Sequence, residues 1–194
     1  MATVLQHQLL GKEIVRRADA AGATTHVTAT ASGDTQPKTT IASQPDFPRT
    51  LQIATAGGWT SSDAVQVTIT GTDVRGAAIT ETLAVPASGT TMAGQKPFAT
   101  VTSVSWATPA GWTAGTFSVA GGPALGITVP SRNSGLAVTK ETAYDDSAVP
   151  PNPANSAIGT VDSANQTYVP TAALNSATVV EIFYLYTIDH VLQP

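Results

Sequence analysis

The stretch Ala64–Val85, AVQVTITGTDVRGAAITETLAV, most narrows the folds open to this chain. Val65, Val67 and Ile69 alternate with Gln66, Thr68 and Thr70. Beyond a Gly-Thr-Asp…Gly segment, Ile79, Leu83 and Val85 alternate with Thr80, Thr82 and Ala84. In a strand, successive side chains point to opposite faces, so this spacing collects the apolar residues on one side. The pattern predicts an antiparallel hairpin with one buried face. A turn centred on Val74 sets Ile69 opposite Ile79, Val67 opposite Glu81 and Val65 opposite Leu83. Glu81 then falls on the apolar face, where an unpaired carboxylate is costly. It needs a partner, a place at the sheet edge, or a bulge that turns it away. Arg75 lies in the turn, which leaves a cation from elsewhere, including another subunit, as a candidate partner.

Behind the hairpin, Pro97–Ser131 contains no Asp, Glu, Lys or Arg, yet it holds two of the three tryptophans. A neutral run of this kind is expected to pack against something, either a core or a neighbouring subunit. The whole chain shares the tendency, with 11% charged and 42% hydrophobic residues. Average globular chains carry about a quarter charged residues, and disordered chains combine low hydrophobicity with high net charge. Thr, Ser, Gln and Asn supply the polarity instead, and threonine's branched Cβ suits a pleated surface. The net charge of −4 argues against nucleic acid or an anionic membrane as partner, because phosphate binding needs clustered Lys and Arg. Arg16-Arg17 is a basic pair, but Glu13 and Asp19 flank it. No window is apolar for the length of a membrane span. The opening MATVLQHQLLGKEIVRR has no charged region followed by a sustained apolar core, so no secretory signal is expected.

Residues 1–22 read as an N-terminal arm, extended or a short helix, with a strand at Glu13–Arg17 as one option. Leu5, Leu9 and Ile14 are roughly helically spaced, but Gly11 interrupts them and no good N-cap precedes. Val4, Leu5, Leu9, Leu10 and Ile14 are candidates for cover by a neighbouring subunit; packing on the arm's own domain is the alternative. Strand patterns then recur at THVTATAS (25–32), RTLQIATA (49–56), FATVTSVSWATP (98–109), GTFSVA, LGITVP and GLAVTKETA. Gly-Gly-Pro separates the fourth of these from the fifth, and PASGTTMAGQKP (86–97) reads as a loop. In TVVEIFYLYTIDH, Val180, Ile182, Tyr184, Tyr186 and Ile188 share one face while Phe183 and Leu185 take the other. A strand apolar on both faces belongs in the middle of a sheet or between layers. Short strands with Gly/Pro turns predict an all-β fold, an antiparallel β-sandwich or jelly-roll-like barrel with an N-terminal arm. The expected organisation is an arm over 1–22 and a single β-sandwich domain over 23–194. Pro150, Pro151 and Pro153 make 148–156 a stiff connector inside that domain.

Nothing in the sequence assembles a catalytic constellation. The chain has no cysteine, which removes disulfides, thiolate metal sites and thiol nucleophiles. His7, His26 and His190 lie on separate segments, so no catalytic zinc set is indicated. Asp145-Asp146 and Asp162–Asn165 lack the alternating ligands of a calcium loop and read as Asx turns. No nucleophile elbow, P-loop or dinucleotide fingerprint occurs. We therefore expect neither enzymatic activity nor a cofactor or metal. Trp59 and Trp112 sit beside flexible turns, in GGW and AGW, and permit sugar stacking as an alternative function. For Trp106 and Trp112, core or interface packing is the more general fate of a tryptophan in a low-charge domain.

A family resemblance enters at TITGTDVRGAAITETLAV, KPFATVTSVSW and GTFSVAGGPALGITVP, with IGTVDSANQTYVPTAALNSATVVEIFYLY near the C-terminus. These stretches resemble small virion proteins of tailed bacteriophages, which carry an ITGTD-x-x-G-x-x-ITET hairpin, an F-x-x-VTSV strand and a GT-x-SVG strand. The likeness covers Val65–Val129 and Ile158–Tyr186. It implies a capsid decoration, or cement, protein on the exterior of a head shell assembled in the host cytoplasm. It also implies contact with the major capsid protein and self-association as a homotrimer. Glu81, Trp106, Trp112, Tyr184 and Tyr186 join the arm residues as candidates for the capsid or subunit interface. A tail or connector component is a further structural alternative.

Overall fold

The computed structural model describes residues 4–16, 18–31, 33–58, 65–86, 89–107, 115–129, 133–145 and 154–191. The chain is all-β, with no helix among these residues. Its strands in chain order are β1 (Val4–Arg16), β2 (Thr25–Thr30), β3 (Arg49–Ala56), β4 (Gln66–Thr72), β5 (Ala78–Ala84), β6 (Thr91–Ala93) and β7 (Thr100–Trp106). They continue with β8 (Thr116–Gly126), β9 (Asn133–Asp145), β10 (Ala154–Ser156), β11 (Thr160–Asp162), β12 (Thr167–Val169) and β13 (Thr178–Val191). The contacts divide the chain into two compact units, Asp19–Gly126 and a second built from Met1–Ala18 with Ile127–Pro194. The first residues therefore belong with the C-terminal third, and the expected arm is a strand of its sheet. The stretch expected as a proline connector, 148–156, lies inside the second unit, and its last three residues form β10, which pairs with β9.

In the unit Asp19–Gly126, β3 pairs with β6 on one side and β8 on the other, and β2 joins β8. A second sheet runs β5-β4-β7. Val67 and Ile69 of β4, Val101, Val104 and Trp106 of β7, Leu51 and Ile53 of β3, and Phe117 and Val119 of β8 form one buried cluster. Trp106 meets Phe117 edge-on, with ring centroids 5.5 Å apart. Two antiparallel sheets thus enclose a core between their alternating faces, which is a β-sandwich. The segment before β3 is hydrogen-bonded to strands of both sheets. Lys38 pairs with Val104 of β7, Ala42 donates to the carbonyl of His26 in β2 (2.8 Å), and Gln44 exchanges two bonds with Val101.

The hairpin forms where its alternation predicts, with a shifted centre. Asp73 Oδ1 accepts the amides of Arg75 and Ala77 (2.8 and 2.9 Å), an Asx arrangement that holds residues 73–77 as the turn. The register is therefore Thr72 opposite Ala78, Ile69 opposite Glu81 and Val67 opposite Leu83. Two strands expected around Gly-Gly-Pro are one, since β8 runs through Gly121-Gly122-Pro123. A Cβ on Gly122 would stand 2.5 Å from Thr50 Oγ1 and 2.8 Å from the Thr50 carbonyl. Glycine here permits close strand approach beside a register shift between Arg49 and Leu51. The loop expected at 86–97 contributes the short strand β6.

In the second unit the sheet order is β1-β13-β9-β10. β1 pairs with β13 at every position from Val4 opposite Val191 to Arg16 opposite Val179, with no shift. β13 lies between β1 and β9, the central place its two-sided apolar pattern predicts. Val15, Val180, Ile182, Leu136, Val138 and Tyr168 are buried. Tyr168 belongs to β12, which pairs with β11.

Candidate functional site

The sheet of β1, β13 and β9 carries most of the candidate interface residues. Along β1 the residue parity assigns Leu10, Lys12 and Ile14 to one face, and Leu9, Gly11, Glu13 and Val15 to the other. On the first face Leu10 lies opposite Leu185, and Lys12 opposite Phe183. Lys12 and Lys140 hold their ammonium groups 5.0 and 5.6 Å from the Phe183 ring centroid, one from each neighbouring strand. Lys12 also pairs with Glu181 at 2.9 Å. This face remains open at its edge: Leu10 is 68% exposed and Ile14 40%.

The opposite face is largely closed. A Cβ on Gly11 would come within 2.4 Å of the Tyr184 ring, so the ring lies across the position where β1 has no side chain. The Tyr184 hydroxyl donates to the Thr128 carbonyl at 2.8 Å. Burial pushes its pKa up to about 12, reinforced by the nearby Glu13 and Tyr186. Burial also raises the pKa of Glu13, partly offset by a hydrogen bond from the Thr128 backbone. Tyr184 is therefore a packed residue of this unit, and the interface expectation for it is corrected. Tyr186 is half-buried, and Leu9 is 40% exposed at the edge.

The other candidates separate in the same way. Val4 and Leu5 occupy the first positions of β1, opposite Val191 and His190; their side chains lie outside the described residues, as do Trp59 and Trp112. Trp106 is a core residue of the sandwich, 5% exposed, so its interface expectation is also corrected. Much of the neutral run 97–131 is neutral for that reason: Phe98, Val101, Val104, Phe117, Val119 and Leu125 from it are buried. Glu81 sits on the edge strand β5 and accepts the amide of Gln95 at 2.7 Å and that of Lys96 at 3.3 Å. Glu81 thus has both a place at the sheet edge and a partner, two of the arrangements expected for it, and the partners are main-chain N–H groups of its own chain in place of the candidate cation from elsewhere. The outward side of the β5-β4-β7 sheet is laced by hydroxyls, with Thr68 to Thr82 at 3.0 Å and Thr72 to Thr100 at 2.7 Å.

Two buried polar centres escape sequence reasoning. Glu141 of β9 is fully buried, and every neighbour faces it as a donor. Tyr168 donates to Oε2 at 2.6 Å, the Thr171 amide to Oε2 at 3.1 Å and the Ala172 amide to Oε1 at 2.8 Å. The Thr171 hydroxyl lies 3.1 Å from Oε1 and 2.5 Å from the Ala157 carbonyl. Burial and the Glu141 carboxylate together hold the Tyr168 hydroxyl well above the usual tyrosine range. In the other unit, Arg49 is 1% exposed. It donates to the Gly122 carbonyl through Nε (2.9 Å) and Nη2 (2.6 Å), and through Nη1 to the Asp19 carbonyl (2.9 Å) and Asp46 (3.0 Å). No alternation flags Glu141 in advance: it is out of phase with Leu136 and Val138, and a register shift between Val138 and Lys140 is what sets all three opposite one face of β13, at Ile182, Tyr184 and Tyr186. Both centres lock strands together and leave no donor or acceptor pointed at an open cleft.

A shallow depression of about 150 Å³ lies over β2, β3 and β8, lined by Ala29, Ala54, Ala56, Thr116 and Phe117, with no charged group. No group of three metal-ligating side chains occurs among the described residues. Comparison with known proteins gives no matching family model, no matching curated protein and no matching solved structure.

Proposed function

We propose that this chain is a structural virion protein that decorates the exterior of a tailed-phage head, spanning neighbouring capsomers of the major capsid protein. The observation that carries the reading is β1: a 13-residue strand at a sheet edge, exposing Leu9, Leu10 and Ile14. Long apolar edges are rarely left open in proteins that act alone, because they template pairing with other chains. The hydroxyl-laced, uncharged sheet surface and the hairpin and strand motifs of small virion proteins support the same reading.

Cementing by such a protein works through differential binding. A subunit that contacts two capsomers stabilises the expanded shell only through surfaces that are absent or misplaced before maturation. Many copies add their contacts, so each one can be weak. The test is to add the purified protein to shells that lack it, then challenge them with heat or chelator and reconstruct the particle. Protected shells with the protein on their outer surface are expected. A protein found in the tail, or missing from virions, refutes the proposal. The sugar-stacking alternative rests on Trp59 and Trp112, outside the described residues, and no described surface favours it.

A further inference from the structure

The edge of β1 is the one that most needs an occupant. The other sheet margins are short or occupied: β6, β10 and β11 have 3 residues each, the segment before β3 bonds to β2 and β7, and β5 turns Glu81 onto the amides of the loop beside it. Natural edges are blunted by proline, bulges or lysines. β1 contains no proline and keeps unbroken register with β13 over its 13 residues, and its charged residues, Lys12, Glu13 and Arg16, fall in its second half, so Val4–Gly11 holds no Asp, Glu, Lys or Arg. No described residue pairs with its outer side.

We propose that β1 pairs antiparallel with β1 of a second copy across a two-fold axis at Leu10, so that two four-stranded sheets become one continuous sheet. The inference rests on the reading of β1 as an assembly edge and names its occupant. The strand is self-complementary in this register. Leu10 is the midpoint of Val4–Arg16, so this alignment alone overlaps the strands fully. Leu10 then falls opposite Leu10 of the second copy, Leu9 opposite Gly11, Leu5 opposite Val15, His7 opposite Glu13, Gln8 opposite Lys12, Gln6 opposite Ile14 and Val4 opposite Arg16. No like charges oppose one another. An axis at Lys12 would oppose two ammonium groups, and an axis at Gly11 would set Leu9 against Glu13 and Leu10 against Lys12. An axis at Leu9 would set Leu10 against Gln8 and Glu13 against Leu5.

The register also extends the apolar surface already present. Leu10 lies opposite Leu185 on β13, so the row Leu185–Leu10 continues across the axis as Leu10–Leu185 of the second copy. Directly opposed apolar pairs are the stabilising unit of a sheet, and the flank of Leu10, now 68% exposed, would be covered in part. An isologous contact closes after two subunits. The self-association is thus two-fold, in place of the threefold arrangement the family resemblance implies.

The test uses the full chain in the absence of any capsid, so its failure is distinct from failure of the virion reading. Sedimentation velocity over a concentration series should show a monomer–dimer equilibrium and no trimer. Because the chain has no cysteine, single-cysteine variants report register cleanly. Leu10→Cys should give a disulfide-linked dimer under mild oxidation, while Gln8→Cys and Lys12→Cys should each cross-link poorly alone and efficiently when mixed. Leu10→Glu, at an exposed position, should keep the wild-type circular dichroism and weaken association at least about tenfold, by opposing two carboxylates. A monomer at all concentrations, a trimer, Leu10→Cys cross-linking no faster than Gln8→Cys, or undiminished association of a folded Leu10→Glu would each overturn the proposal.

Discussion

Replacing Glu141 by Gln keeps the size of a fully buried side chain and changes only what it can accept. Oε1 receives the Ala172 amide, and Oε2 receives the Thr171 amide and the Tyr168 hydroxyl. A glutamine has one oxygen and one NH2. Placed at Oε1, the NH2 confronts the Ala172 N–H; placed at Oε2, it confronts the Thr171 N–H. If Tyr168 reversed to accept from the NH2, its oxygen would take a second bond beside the Gly159 amide at 2.6 Å and its own O–H would lose Oε2 as acceptor. Either orientation leaves at least one buried amide unpaired and converts the remaining charge-assisted bonds to neutral ones. At about 1.5–3 kcal/mol for each hydrogen bond to a charged group, the expected loss for Glu141→Gln is about 3 kcal/mol. Tyr168→Phe removes one donor from Glu141 and the acceptor of Gly159, for a loss of about 2 kcal/mol.

Urea unfolding of the wild type, both single variants and the double variant measures these losses. The cycle should return a coupling of about 1 kcal/mol or more, since the two residues share one bond. Hydrogen exchange at the Thr171 and Ala172 amides should accelerate in Glu141→Gln beyond what the global stability change explains. A Glu141→Gln protein within about 0.5 kcal/mol of wild type, with unchanged protection at these amides, would refute the view that the carboxylate ties β9 to the segment following β12.

Two further perturbations probe the sandwich unit. Arg49→Met strips the partner from the Gly122 and Asp19 carbonyls and takes the cation from Asp46, which is partly exposed; a loss of about 3 kcal/mol in urea unfolding is expected, chiefly from the two carbonyls left without donors. The His26 pKa is lowered from 6.5, first by burial and then by Arg49, against raising contributions from the Ser43 carbonyl and Asp46. The unfolded chain therefore takes up the proton first on acidification, and stability falls as pH drops through 6.5 towards the folded pKa. Urea midpoints at about pH 7.5 and about pH 5 should differ more for wild type than for His26→Gln, and equal slopes would count against this assignment.

The strands themselves were legible because their burial is one-sided. RTLQIATA is β3 from first residue to last, and the alternation of Ala64–Val85 names the correct buried face. The hairpin register was not legible to one residue, because it depends on the Asp73 side chain capping two amides. Moving the turn centre from Val74 to Arg75 preserves parity, so the face survives while Glu81 changes its opposite number from Val67 to Ile69. Gly-Gly-Pro reads as a break, yet here the small residues serve close packing against Thr50. The grouping of residues 1–18 with the C-terminal third depends on pairing between the two ends of the chain. No local pattern encodes that pairing; β13's two-sided apolar character only requires that something flank it.

The treatment of charge connects the composition to the proposed role. Glu81 and Glu141 are satisfied chiefly by main-chain N–H groups, with hydroxyls added at Glu141, and Arg49 by two carbonyls as well as Asp46. Such bonds need few counter-ions, which is how a chain with 11% charged residues can place ionisable groups on apolar faces. Main-chain partners are also fixed by the fold, so they hold a strand's register in a way a mobile surface ion pair does not. The surface then needs little charge for internal purposes, and the sheet exteriors can be threonine hydroxyls and, on β1, leucine and isoleucine. Contacts made through such surfaces depend on shape and apolar area, and salt screens them far less than it screens exposed ion pairs. A protein repeated many times over a lattice gains from that property: weak contacts add with copy number, while like-charged neighbours would add repulsion at the same rate.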